Sequence, residues 1–274
     1  MRFLRVGGHE MAYVEEGAGA PVLFVHGALA DLRFWAPQMG AFGRRHRAIA
    51  VSLRRHWPER WDGEGDGYST ERHAEDVAAF AAALGAGPVR LVGHSRGGYV
   101  AFRVARRFPE RVRALVLAEP GGDLDASLRP AAPAPAEPPA APISFGAAAD
   151  RIRAGDTDGG LAVFVNALGG PGAWEELSER TRQAMRDNAG TLLGQLRERR
   201  PPFTRADAEA IAAPTLLVGA ERSPPAYAKI LDALERSLRD VRRVVIPGAA
   251  HPMNRGNPDA FKAAVLDFLA SRAA

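Results

Sequence analysis

Two kinds of hydrophobic spacing alternate along the chain. Short apolar runs bounded by glycine, proline or charge read as strands: Arg2–Val6, residues 11–14, Pro21–Val25, 48–53, 89–92, Val112–Ala118, 215–218 and Val241–Ile246. Between them, apolar positions fall three and four apart. Leu32, Trp35, Met39 and Phe42 follow a capping Asp31. Val77, Phe80, Ala81 and Leu84 lie in a segment capped by Ser69 or Thr70. Residues 99–108, 225–238 and 258–271 are further helical segments, and Gly7-Gly8 between the first two runs is a hairpin signal. Residues 54–67 and 247–257 read as loops.

The alternation fails once. Residues 130–142 are almost entirely alanine and proline, the composition of a semi-rigid linker. Four helical segments follow, 144–154, 160–168, 174–188 and 191–199, and strands resume only after Pro214. The expected architecture is therefore α/β: a mostly parallel, doubly wound sheet formed by residues 1–121 and 206–274. An all-helical cap, residues 122–205, is inserted into it through the proline-rich entry.

Composition narrows the function classes. Cysteine is absent from the 274 residues, which excludes disulfides and thiolate metal sites. The N-terminus lacks a signal-peptide core and no apolar run is long enough to span a membrane, so a soluble cytoplasmic protein is expected. The net charge of +4 comes from arginines scattered among acids, without a basic stripe interleaved with aromatics, so no nucleic-acid partner is expected.

Ligands of open parallel sheets bind at the carboxyl ends of the strands. His26, Ser95, Glu119, Glu221 and His251 all fall just after predicted strand ends. Gly93-His94-Ser95-Arg96-Gly97 lies where a strand passes directly into a helix, the context of a G-x-S-x-G nucleophile turn. Such a turn exposes the serine hydroxyl and aims unpaired helix N–H groups at the same place. A serine nucleophile needs a base. His9, His46, His56 and His73 lie in hairpin, loop or helix-surface contexts, His94 is structural, and His26 is read as a loop brace. His251, in the loop after the last strand, is the best base.

Val25-His26-Gly27, Gly93-His94-Ser95-Arg96-Gly97-Gly98 and Pro247-Gly248-Ala249-Ala250-His251 resemble the signatures of the α/β-hydrolase superfamily, in its serine-nucleophile branch with a helical cap. The resemblance implies an acyl-enzyme mechanism on a small-molecule ester, thioester or lactone, with no cofactor and no metal. Carbon–carbon bond hydrolysis of a vinylogous diketone acid, or non-hydrolytic ligand binding on the same fold, are the alternatives. It further implies an oxyanion hole made by the backbone N–H groups of Ala28 and Arg96. One position departs from the pattern: Ser223 stands where most relatives carry the acid that orients the histidine. Glu119, at the end of the strand before the cap, is the expected replacement, with Glu221 as its rival. The Arg96 side chain is a candidate for gripping a substrate carboxylate, the alternative being an ion pair with a neighbouring acid. Trp35 is a candidate for lining an aromatic pocket, the alternative being core packing.

Overall fold

The computed structural model describes residues 1–129 and 145–272, so the expected linker at 130–142 lies outside the described residues. Eight strands form one sheet: β1 (Arg2–Val6), β2 (His9–Glu16), β3 (Pro21–Val25), β4 (Arg47–Val51), β5 (Val89–His94), β6 (Val112–Ala118), β7 (Thr215–Ala220) and β8 (Val241–Ile246). Their spatial order is β1-β2-β4-β3-β5-β6-β7-β8. β2 runs antiparallel to both β1 and β4, and every other pairing is parallel. Purely apolar runs are what a sheet covered on both sides requires. Successive residues of β3 and β6 serve opposite layers. Leu23, Val25, Leu115 and Leu117 join one core, while Val22, Phe24, Ala114, Val116 and Ala118 join the other.

Helices α1 (Ala36–Gly43) and α11 (Pro258–Ala270) cover one face through Met39, Phe42, Phe261, Val265 and Phe268. Helices α2 (Thr70–Ala83), α3 (Arg96–Arg107) and α9 (Pro225–Glu235) cover the other through Val77, Phe80, Tyr99, Phe102, Leu231 and Leu234. Asp31 caps a short 3-10 turn before α1, and the Ser69 hydroxyl caps α2 by accepting the Arg72 N–H. A short helix, α10 (Met253–Gly256), interrupts the loop expected after β8.

Between β6 and β7 lie α4 (Phe145–Arg153), α5 (Thr157–Gly169), α6 (Glu179–Arg186), α7 (Gly190–Arg197) and α8 (Arg205–Glu209). The single helix expected over 174–188 starts later. The Ser178 hydroxyl caps α6 by accepting the Thr181 N–H, and Gly170 and Gly172 hold left-handed backbone before it. Sequence reading missed α8, which Thr204 caps. The ends of the segment are zipped together: Phe203 N–H donates to the Asp123 carbonyl at 2.7 Å and Asp125 N–H to the Phe203 carbonyl at 3.0 Å. Its helices bury a cluster of their own, Leu161, Phe164, Trp174, Ala189 and Leu192, against Leu29 from the loop after β3. Asn188 ties that cluster to the sheet by donating to Asp31 at 2.7 Å and accepting the Trp57 N–H at 2.8 Å. Among the described residues no helix is long and apolar enough to cross a membrane.

Candidate active site

β5 ends at His94 and α3 begins at Arg96, three residues before the sequence-based start, so Ser95 alone makes the turn. Its backbone sits at φ +52° and ψ −123°, a left-handed conformation that a side-chain-bearing residue rarely adopts and that concentrates at functional sites. The motif glycines are required by close approach. A Cβ on Gly93 would collide with the Gly97 carbonyl, and one on Gly97 with the carbonyls of Val25 and His26. The turn is tied to the next strand by Ser95 N–H donating to the Ala118 carbonyl at 2.9 Å. The Gly121 N–H donates to the Ser95 carbonyl at 3.0 Å.

β6 delivers Glu119 and the loop after β8 delivers His251. The His251 Nδ1 lies 2.7 Å from Glu119 Oε2, both groups being buried. Glu119 has left-handed backbone at φ +41°, which turns its side chain at the strand end. Its carboxylate accepts the Ala220 N–H and the Ser223 hydroxyl, each at 2.8 Å. Serine at 223 thus acts through Glu119, donating to the carboxylate that faces the histidine. Glu221 goes elsewhere: it is exposed, and its Oε2 accepts the Gly248 N–H at 2.6 Å, bracing the turn that precedes His251. Burial pushes the Glu119 carboxyl up, and the Ser223 and Ala220 donors oppose that shift. Burial pushes the His251 imidazole down to about 3, which leaves it neutral at neutral pH.

Two rings lie against His251. Tyr227, from the first turn of α9, stacks on it with centroids 4.1 Å apart and planes 16° off parallel, and its hydroxyl reaches that of Ser95. The His94 ring is tilted 41° to that of His251 with centroids 4.6 Å apart, and its Nε2 donates to the His251 carbonyl at 2.9 Å. Among the described residues no hydrogen bond joins His251 Nε2 to Ser95; in unliganded sites such contacts commonly close only with substrate in place. Tyr227 was invisible to sequence reading because no motif marks it. Its place in the first turn of α9, four residues beyond Ser223, brings it to the site.

The loop after β3 crosses close to the turn. A Cβ on Gly27 would lie 3.1 Å from Ser95 Cβ and from His94 Nδ1, so glycine lets this loop approach Ser95. Among the described residues the N–H groups of Ala28 and Arg96, which follow Gly27 and Ser95, donate no hydrogen bond. Buried His26 braces the loop as expected. Its Nδ1 donates to the Gly27 carbonyl at 2.9 Å and its Nε2 accepts the Leu53 N–H at 3.0 Å, a neutral tautomer consistent with a pKa lowered by burial to about 4.

Residues 20–254 match the model of the alpha/beta hydrolase fold family. The chain belongs to that family. It is 27% identical to 2-(acetamidomethylene)succinate hydrolase of Mesorhizobium japonicum over 93% of this chain and 90% of that one. It is 35% identical to 2-hydroxy-6-oxo-2,4-heptadienoate hydrolase of Pseudomonas putida, over 42% of this chain and 43% of the relative. An esterase structure from Thermogutta terrifontis superposes with a TM-score of 0.77 at 24% identity, each chain being covered to 99%, a likeness in fold.

Three expectations are corrected in this α/β hydrolase. The Arg96 side chain is buried and committed: it pairs with Glu198 from the end of α7, approaches His73 Nδ1 at 3.3 Å and lies 4.5 Å over the Tyr68 ring. An internal ion pair with a neighbouring acid, and not a free grip for a ligand, is what the position holds. Trp35 is wholly buried among Phe24, Phe34 and Phe261 and packs the core. His56 and His73 are buried, not on a surface: His56 Nδ1 donates to the Ala30 carbonyl at 2.7 Å and His73 Nε2 to the Arg54 carbonyl at 3.1 Å. Arg54, whose carbonyl accepts from His73, is held by Asp76 through two bonds of 2.8 Å.

Proposed function

We propose that this α/β hydrolase is a serine hydrolase of small acyl substrates: carboxylic esters, thioesters or lactones. The observation that carries the reading is the 2.7 Å pairing of His251 with Glu119 beside a turn that presents Ser95 at positive φ. In this reading His251 Nε2 takes the Ser95 proton as Oγ bonds to the acyl carbon. The charge that collects on the carbonyl oxygen meets the free N–H groups of Ala28 and Arg96, each such donor lowering the barrier by about 3 kcal/mol. The intermediate collapses, and the leaving group departs with the proton from His251. Water, deprotonated by the same imidazole, then attacks the acyl carbon and releases the acid and Ser95. Glu119 remains ionised throughout and stabilises the imidazolium. Residues 122–205 are read as the cap that excludes water from these steps.

A second reading uses the same residues on a carbon–carbon bond of a vinylogous diketone acid. The 35% identity to 2-hydroxy-6-oxo-2,4-heptadienoate hydrolase favours it. A third, ligand binding without hydrolysis, is separated from both by a fluorophosphonate probe. The wild-type protein is expected to gain one phosphonyl group on Ser95 by mass spectrometry, and Ser95→Ala none. Absence of label, together with no turnover across a panel of esters, thioesters, lactones and ring-cleavage products, would favour a binding protein.

A further inference from the structure

Beside Ser95 two guanidinium groups share one carboxylate. Glu198, whose side chain is 2% exposed, bonds Arg96 and also accepts the Thr70 N–H. Arg200 is left over. Its NH2 stands 3.8 Å from Glu198 Oε2, beyond hydrogen-bond distance, its NH1 donates to the Gly121 carbonyl at 3.0 Å, and its Nε is buried without a partner. The Tyr99 ring lies 5.3 Å from it. Two cations thus share one carboxylate in a largely desolvated place, where a cation is costly unless paired. Burial and repulsion from Arg96 accordingly push the Arg200 pKa down.

The position of that charge matters. The Gly121 peptide that Arg200 holds is the one whose N–H bonds the Ser95 carbonyl, and a Cβ on Gly121 would lie 3.8 Å from Ser95 Oγ. The field of Arg200 also reaches Tyr227, whose hydroxyl meets Ser95. Its side chain is 19% exposed. With NH1 held by the Gly121 carbonyl and Nε buried, the N–H groups of NH2 and the second one of NH1 remain as donors for a carboxylate.

We propose that Arg200 is the specificity cation of this site and that the preferred acyl substrates carry a carboxylate within reach of it. The inference rests on the serine-hydrolase reading. An incoming carboxylate supplies the counter-charge that Glu198, already occupied by Arg96, does not. Arg96 is then a supporting group that holds Glu198 away from Arg200.

The test compares ethyl monoesters of succinate, glutarate and adipate with neutral analogues in which a methyl ketone replaces the free carboxylate. The wild-type protein is expected to favour the charged member of at least one pair by about 10- to 100-fold in kcat/KM, the range of a charge-assisted hydrogen bond. Arg200→Gln is expected to collapse that ratio to within about threefold and Arg200→Lys to leave it intermediate, because a point charge replaces a fork. A ratio unchanged in Arg200→Gln, or a wild-type preference for every neutral analogue, would overturn the proposal. Binding gives a readout independent of turnover. Glutarate is expected to raise the melting temperature of Ser95→Ala, and the rise is expected to vanish in Ser95→Ala/Arg200→Gln. No rise in Ser95→Ala, or an equal rise in both, would overturn it. Fluorophosphonate labelling of Ser95 reports separately on the hydrolase reading, so the two fail distinguishably.

Discussion

Contacts of several kinds hold His251: a carboxylate on Nδ1, a stacked tyrosine ring, a tilted histidine ring, and the N–H groups of His94 Nε2 and Met253 on its carbonyl. Of these, the Tyr227 contact combines two parts that mutation can separate. The stacked ring lies parallel to the imidazole, while the hydroxyl reaches Ser95. Tyr227→Phe retains the stack and removes only the hydroxyl beside Ser95, so kcat is expected to stay within about tenfold of wild type. Tyr227→Ala releases the ring, and misplacing a catalytic group by about 1 Å can cost on the order of 100-fold. Steady-state kinetics on the best ester would check the ordering; equal losses in the two variants would mean that the ring does not position His251. At this scale the positions of Ser95, His251 and Glu119 at one edge of the sheet were legible because strand ends and glycines mark them. It concealed Tyr227, Arg200 and Glu198, which sit on or next to helices with no local signal. It misplaced His56 and His73, because a histidine on a helix or loop carries no mark of which way it faces.

At the scale of elements, the strands were legible because burial on both faces writes them as unbroken apolar runs. β3, buried throughout, is the clearest case; β1, β6 and β8 match their predicted bounds end to end although each carries arginine. Helix starts were legible where a cap residue stands alone before them, as at Asp31 and Ser69. α3 was predicted three residues short because Arg96-Gly97-Gly98 reads as turn. Only contacts with Val25, His26 and Pro120 explain glycines in a first helical turn. The helical insertion was less legible. Its helices pack against one another and against Leu29, so their periodicity is interrupted by glycine turns and by caps such as Ser178 and Thr204. The order of the strands was not legible at all: β4 lies between β2 and β3, a crossover that no local pattern encodes.

Across the whole molecule, five histidines are buried, His26, His56, His73, His94 and His251, and burial is the largest cause lowering the pKa of each. His26 is held near about 4 and His94 and His251 near about 3, with His56 and His73 also well below the ordinary value of 6.5. The unfolded chain therefore binds more protons than the folded one between the depressed values and about 6.5. Stability rises with pH across that window and falls as pH drops through it, each histidine contributing up to about 1.4 kcal/mol per pH unit. Urea midpoints are expected to decline steeply from pH 7 to pH 5 and to be nearly flat from pH 7 to pH 8. A midpoint that holds constant down to pH 5 would contradict neutral burial of these rings.

The central claim is that the acid serving His251 has moved to the end of β6, with Ser223 left to steady it. Turnover of the same ester by Glu119→Gln and Glu221→Gln tests that directly. An amide at 119 keeps the shape but favours the wrong imidazole tautomer, which in a serine triad costs about 10⁴ in kcat. Glu221→Gln disturbs only a surface contact with Gly248 and is expected to stay within about threefold of wild type. A crippled Glu221→Gln beside a near-wild-type Glu119→Gln would contradict the account.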